Sequence, residues 1–142
     1  MAAMSGSIEP TDAQLAALVT LDTGGPVTML NLLRYAEVAD YGEHLELAPQ
    51  APISGRDAYG LYTANTLPLL AAAGGEVVMM GACHPSAVAP EGEEWDDIVL
   101  VRYPSVAAFV GMVTSTAYQA GMGHRTAALA DSRLVPTDAA TL

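Results

Sequence analysis

The sequence predicts an α+β fold in which an extra N-terminal helix precedes a βαββαβ run. Three observations carry this expectation. The stretch Trp95 to Met112, WDDIVLVRYPSVAAFVGM, reads as a strand over Ile98 to Tyr103 that breaks at Pro104 and re-enters a helix capped by Ser105. An earlier run, Gly25 to Arg34 (GPVTMLNLLR), reads as its partner strand. Between and around these strands, capping signatures introduce apolar residues at helical spacing.

Taken in order, residues 1–10 read as a flexible N-terminus. Thr11 with Gln14 then forms a capping signature, and Leu15, Leu18 and Val19 give a short docking helix one apolar face, ending near Asp22. The first strand, Val27 to Arg34, is largely apolar on both faces, Val27/Met29/Leu33 and Thr28/Leu30/Leu32. A strand buried on both sides needs two covers. Helices of the same chain supply one, and a second copy of the sheet is expected to supply the other, which predicts a homodimer.

Residues Tyr35 to Ile53 are too long and irregular for a plain connection, and such segments serve as surface insertions or as lids and binding loops. Ser54 and Asp57 cap the next helix, whose face is marked by Ala58, Leu61, Tyr62, Leu69 and Ala72, with a bend or division expected at Pro68 after Thr66. Gly74-Gly75 ends it, a strand follows over Glu76 to Cys83, and Pro85 to Glu94 is a polar hairpin loop. After the anchor strand, Val106, Phe109, Val110 and Val113 mark a helix expected to run to Gly121 and Gly123. A short further helix over His124 to Ala130 and an edge strand over Ser132 to Val135, stopped by Pro136, complete a ferredoxin-like order. A single domain is expected over residues 11–136, with 137–142 as a tail.

Composition bounds the function. With 142 residues, 51% of them hydrophobic, the chain suits one domain with a substantial core. A formal charge of −11, with the five basic residues all arginines and well separated, argues against nucleic acid and anionic membranes as partners, because both require clustered cations. The single cysteine, Cys83, excludes an internal disulfide framework and suits a reducing cytoplasm. No signal-peptide pattern opens the chain, and no apolar run reaches the ~18 residues of a spanning helix. A cytoplasmic location follows as the expectation.

Five pieces in register, GPVTMLNLLRY, SGRDAYGLY, GGEVVMMGA, WDDIVLVRYPSVAAFVGM and HRTAALADSRLVP, resemble the DUF1330 family from about Pro26 to Pro136. That family lies within the dimeric α/β barrel superfamily of ferredoxin-like domains. The resemblance implies a homodimer whose two sheets face each other across a cavity, and it implies no particular reaction. Relatives by fold include cofactor-independent monooxygenases, lactone isomerases, polyketide cyclases and haem-dependent enzymes.

Several side chains are candidates for chemistry. Asn31 stands among apolar neighbours in the first strand, where an amide must be hydrogen-bonded or aimed at a ligand. Arg34 ends that strand, where a guanidinium grips a carboxylate or enolate in bidentate fashion or pairs with one of the sixteen acids. Tyr59 and Tyr62, three apart, share a helix face, as donors to a substrate oxygen or as core aromatics with one wet end. Tyr35, Tyr41 and His44 belong to the long segment, His84 ends a strand beside Cys83, and Trp95 opens the anchor strand; all five are candidate ligand contacts. His124 and Arg125 form the HR pair that recurs in the family pattern, with His124 a candidate proton mover. Asp96 and Asp97 read as a solvated or backbone-capping pair, one of them a candidate ion-pair partner of Arg102.

No HxxxH, HExxH or CxxC spacing is present, so neither a metal nor another cofactor is expected. Gly24-Gly25 and Gly74-Gly75 lack a phosphate-cradling pattern, and no GxSxG elbow occurs. The expected function is therefore a cofactor-independent isomerase, cyclase or monooxygenase. It would act on a small, partly apolar molecule in the barrel cavity, with Asn31 and Arg34 stabilising oxyanion charge and Tyr62 or His124 moving protons. The alternatives are a non-catalytic binding or carrier protein and a dimeric scaffold.

Overall fold

The computed structural model describes residues 6–139 and runs α1 (Asp12–Thr20), β1 (Val27–Tyr35), α2 (Gly55–Ala72), β2 (Glu76–Ala82), β3 (Asp97–Tyr103), α3 (Val106–Val113), α4 (Thr116–Ala128) and β4 (Leu129–Thr137). A single 3-10 turn, Leu45–Leu47, interrupts the long segment after β1. The four strands form one antiparallel sheet in the order β2-β3-β1-β4, so the chain has the ferredoxin-like βαββαβ arrangement with α1 added in front.

Strand alternation gives the sheet two unlike faces. Val27, Met29 and Leu33 of β1 and Val99, Val101 and Tyr103 of β3 are all buried and lie on the face that the helices cover. On the opposite face, Leu30 and Leu32 sit beside Leu100 and Ile98, flanked by Met79 and Val135, which are 48% and 46% exposed. Helices of the same chain cover only the first face. The edge strand β2 is exposed along almost its whole length, with Val77, Val78, Met79 and Met80 all between 43% and 60% exposed.

Local chemistry explains the element ends. Thr11 and Gln14 close a full capping box on α1, and Ser54, Ser105 and Ser115 cap α2, α3 and α4 by accepting the N–H of Asp57, Ala108 and Tyr118. The docking role expected for α1 is slight: it buries no residue outright, and only Leu18 packs on the core, while Leu15 and Val19 are about half exposed.

Three sequence expectations are corrected. α2 continues through Pro68 without dividing, because that residue lies on the solvent side, where water reaches the carbonyl that proline leaves unpaired. The expected long helix after β3 divides at Thr114–Ser115 instead of at Gly121. There the Thr114 and Ser115 hydroxyls bond the Val110 and Met112 carbonyls at 2.7 Å, and Ser115 caps a new helix. Gly121 and Gly123 are packing residues inside α4: a Cβ at Gly121 would lie 2.2 Å from the Asn65 amide, and one at Gly123 2.6 Å from the His44 ring. Finally, β4 runs through Pro136 to Thr137; as an edge strand it has no neighbour for the missing N–H.

Within the stretch expected to be flexible, residues 7–9 are tied to the C-terminal part of the fold; residues 1–5 lie outside the described residues. The Ser7 N–H donates to Asp131 Oδ1 (2.8 Å), the Ser132 hydroxyl bonds the Ser7 carbonyl, and Arg125 Nη1 donates to the Ile8 carbonyl (2.6 Å).

Candidate functional site

The helix-covered side of the sheet holds a row of tyrosines. Tyr59 and Tyr62 follow the α2 face that also carries buried Ala58 and Thr66, β1 ends in Tyr35, and α4 contributes Tyr118. Their rings pack in sequence, Tyr35–Tyr59 at 5.6 Å between centroids, Tyr59–Tyr62 at 5.2 Å and Tyr62–Tyr118 at 6.0 Å, the last edge-on with the two hydroxyls 3.0 Å apart.

At the Tyr35 end the row meets charge. The Tyr35 hydroxyl donates to Asp97 Oδ2 at 2.7 Å, Arg56 Nη1 donates to the same oxygen at 3.0 Å, and the Arg56 guanidinium lies 4.6 Å from the Tyr35 ring centre. The Asp96 carboxylate accepts the Tyr35 N–H at 2.8 Å, so the two aspartates secure the end of β1 from backbone and side chain.

Burial, reinforced by neighbouring phenols and Asp97, raises the Tyr35 and Tyr59 hydroxyls far above the ordinary phenol range; burial and neighbouring phenols raise Tyr103 and Tyr118 likewise. All four keep their protons at any working pH. They are hydrogen-bond donors, and tyrosinate base chemistry is closed to them.

A second pair stands apart. The Tyr41 hydroxyl lies 2.7 Å from His124 Nδ1, the rings edge-on at 5.6 Å. Burial lowers the His124 pKa and raises that of Tyr41, so near neutral pH the imidazole is uncharged and the phenol protonated. We assign the hydroxyl as donor to Nδ1, which leaves the ring proton on Nε2. Because the folded state disfavours imidazolium, the unfolded chain binds more protons just below the ordinary histidine pKa. Stability is therefore present above about pH 6.5 and declines as the pH falls through that value toward the lower folded pKa. Thermal melts between pH 5 and 8 are expected to show this decline in the wild type and a shallower one in His124→Gln; equal slopes would remove His124 as its source.

The remaining candidates disperse. Asn31 lies on the helix-covered face, opposite Val99, and its amide N–H groups bond the Met29 and Val99 carbonyls at 3.3 and 3.2 Å. Arg34, three positions on, falls on the opposite face, 3.7 Å from Asp131. The expected Asn31–Arg34 oxyanion pair within one chain is thus ruled out by the alternation of the strand. Trp95 lies under Arg133, whose guanidinium is 5.0 Å from its ring centre; His84 is exposed at the end of β2; His44 packs over Gly123 with Glu46 3.6 Å away. Arg125 carries part of the electrostatic field at Tyr59 while bonding Ile8. Arg102 pairs with Glu76 at 3.0 Å, and Asp97 points to the other face, which corrects the expected Asp–Arg102 contact.

Arg56, Asp97 and Tyr118 join the site although sequence reasoning did not place them there. The first turn after the Ser54 cap and the parity of β3 were the available signals for Arg56 and Asp97. Surface grooves lie elsewhere among the described residues: one of about 540 Å³ runs between the end of α1 and α3, and a smaller one lies beside residues 6–9. Among the described residues no cluster of three His, Cys, Asp or Glu side chains is placed to hold a metal ion, and no helix is long and apolar enough to cross a membrane.

Residues 49–137 match the family described as "Domain of unknown function (DUF1330)". The chain belongs to the DUF1330 family. Its fold is similar to a crystal structure of methylated RPA0582 protein, with a TM-score of 0.87 and 35% identity over 97% of this chain and 98% of that one. A second structure, of the RPA0582 protein of unknown function from Rhodopseudomonas palustris, gives 0.85 and 34% over 97% and 100%. More distantly it is similar to a dimeric protein of unknown function and ferredoxin-like fold from Bacteroides fragilis (TM-score 0.48, 11% identity, 80% and 95% covered). No curated protein matches the chain. The DUF1330 match includes Arg56, Tyr59, Tyr62, Asp97, Tyr118 and His124, and begins after Asn31, Tyr35 and Tyr41.

Proposed function

We propose that the protein is a homodimeric, cofactor-independent enzyme of the isomerase, cyclase or monooxygenase type. It acts on a small, partly apolar organic molecule held against the tyrosine row beneath α2, by acid/base and oxyanion stabilisation. The observation that carries the reading is the row itself: phenylalanines would fill the same space without taking hydroxyls out of water. In this reading Tyr59 and Tyr62 donate to oxygen that gains negative charge, and the Asp97 carboxylate, with Tyr35 and Arg56 on one of its oxygens, receives a proton through the other. The site differs from the barrel cavity expected from the sequence, because the tyrosines occupy the other face of the sheet.

Self-association rests on the uncovered face. Leu30, Leu32, Ile98 and Leu100 form an apolar patch that a second sheet suits, and the exposed β2 edge continues it. The proposal includes a cytoplasmic setting, in which the lone Cys83 stays reduced. The second reading, a binding protein without turnover, draws on Asp97 Oδ2 already accepting from both the Tyr35 hydroxyl and Arg56, an arrangement that serves as a fixed structural contact.

Native mass measurement on gently purified protein tests the assembly and reports any retained small molecule. The wild type is expected as a dimer and Leu100→Asp as a folded monomer, since the new carboxylate would be desolvated only in the interface. A monomeric wild type ends the dimer reading; a Leu100→Asp dimer moves the interface off this face.

A further inference from the structure

A bulge in the edge strand decides which methionine faces the open side of the sheet. Val77 pairs with Val101 and Met79 with Leu100, so Val78 is an extra residue in β2 with no counterpart in β3. One extra residue reverses the alternation of everything after it. Val77 shares the side of buried Val101, where the helices pack, and in a regular strand Met79 would follow it there. The bulge sends Met79 to the open side with Leu100, and Met80 to the side of buried Val99. Gly81, the next residue on the open side, leaves room beside the thioether: a Cβ there would lie 3.7 Å from the Met79 methyl and 3.9 Å from an Ile98 methyl. Met79 therefore lies along the sheet toward Ile98, as part of the apolar patch.

The same thioether is within reach of solvent. Met79 and Met80 are 48% and 60% exposed, whereas Met29 and Met112 are buried. A hydroperoxide oxidises such a sulfur by two electrons: the sulfur lone pair attacks one peroxide oxygen, the O–O bond breaks, and hydrogen peroxide leaves a sulfoxide and water. The sulfoxide oxygen is a hydrogen-bond acceptor, and on Met79 its neighbours Leu100 and Ile98 offer no side-chain donor. We infer that Met79 is a redox-controlled contact of the self-association face: peroxide converts it to the sulfoxide in the free chain, and the modified chain stays monomeric. The inference rests on the dimer proposed above and adds its regulation. Met80, one residue away and equally reachable, stands on the other side of the sheet and serves as an internal control.

Hydrogen peroxide is added to the wild type, Met79→Leu and Met80→Leu proteins; native mass reports the assembly, and peptide mass mapping reports which methionine has gained oxygen. Untreated, all three are expected as dimers, since leucine replaces methionine at nearly equal volume. After treatment the dissociation constants of the wild type and of Met80→Leu are expected to rise at least tenfold, while Met79→Leu stays dimeric with Met80 oxidised. In the wild type, Met79 is expected to oxidise more slowly relative to Met80 as protein concentration rises, because the dimer covers it. A treated wild type that remains dimeric with Met79 oxidised overturns the inference and leaves the dimer standing. Dissociation of oxidised Met79→Leu overturns it in the same way, by placing the sensitive group elsewhere. An untreated wild type that is monomeric ends the dimer and its regulation together.

Discussion

Gly55→Ala is expected to destabilise the protein by at least ~3 kcal/mol, in the tail reserved for substitutions with nowhere to relax. A Cβ at this position would lie 2.3 Å from the Ala36 carbonyl oxygen, 2.4 Å from that of Ala128 and 2.7 Å from the Ala36 nitrogen. All three are backbone atoms, and they belong to a junction already closed by the Gly55 N–H to the Ala36 carbonyl (3.0 Å) and the Ala36 N–H to the Ala128 carbonyl (2.8 Å). The first turn of α2 is therefore threaded between the ends of β1 and α4. Gly60, in the same helix, meets nothing within 4 Å, so Gly60→Ala is expected to stabilise by roughly 0.5–1 kcal/mol through helix propensity alone. Thermal melts of the two variants give opposite signs if the junction is as tight as described; a Gly55→Ala protein melting with the wild type would show that the ends separate freely.

Leu33→Ala is expected to cost about 2–5 kcal/mol, read as a lower denaturation midpoint with an unchanged slope. Leu33 has no exposed surface, and its neighbours on the helix side of the sheet, Val27 and Met29, are buried to the same degree. The loss combines transfer of the deleted methyls with an unfilled cavity in a layer held between sheet and helices. A cost below 1 kcal/mol would mean that the helices collapse onto the gap, and that this layer is softer than its burial implies.

How much of this was legible beforehand divides by the range of the interaction. Capping boxes and strand alternation act over a few residues, so Thr11, Ser54, Ser105 and the spans of β1 and β3 were readable, as was the βαββαβ order. Hydroxyl chemistry at Thr114 and Ser115 was also local, yet two downstream glycines looked like the stronger stop. They stay helical because Asn65 and His44, distant in sequence, fill the space where side chains would be. The parity of β1 already separated Asn31 from Arg34, and reading them as partners neglected it. Arg56 meeting Asp97 joins positions 41 residues apart across two elements, a contact that no local pattern encodes.

β1 lies between β3 and β4, and both of these come from the C-terminal half of the chain. Its first residues wait longest: Val27 pairs with Tyr103, and the Thr28 carbonyl accepts the Thr137 hydroxyl across 109 residues. At translation rates of about 5–20 residues per second, VTMLNLL is synthesised roughly 5–20 s before its last partner. For that interval a strand apolar on both faces is a natural client for chaperones that bind extended segments, and the yield of folded protein depends on its being shielded until the final strand arrives.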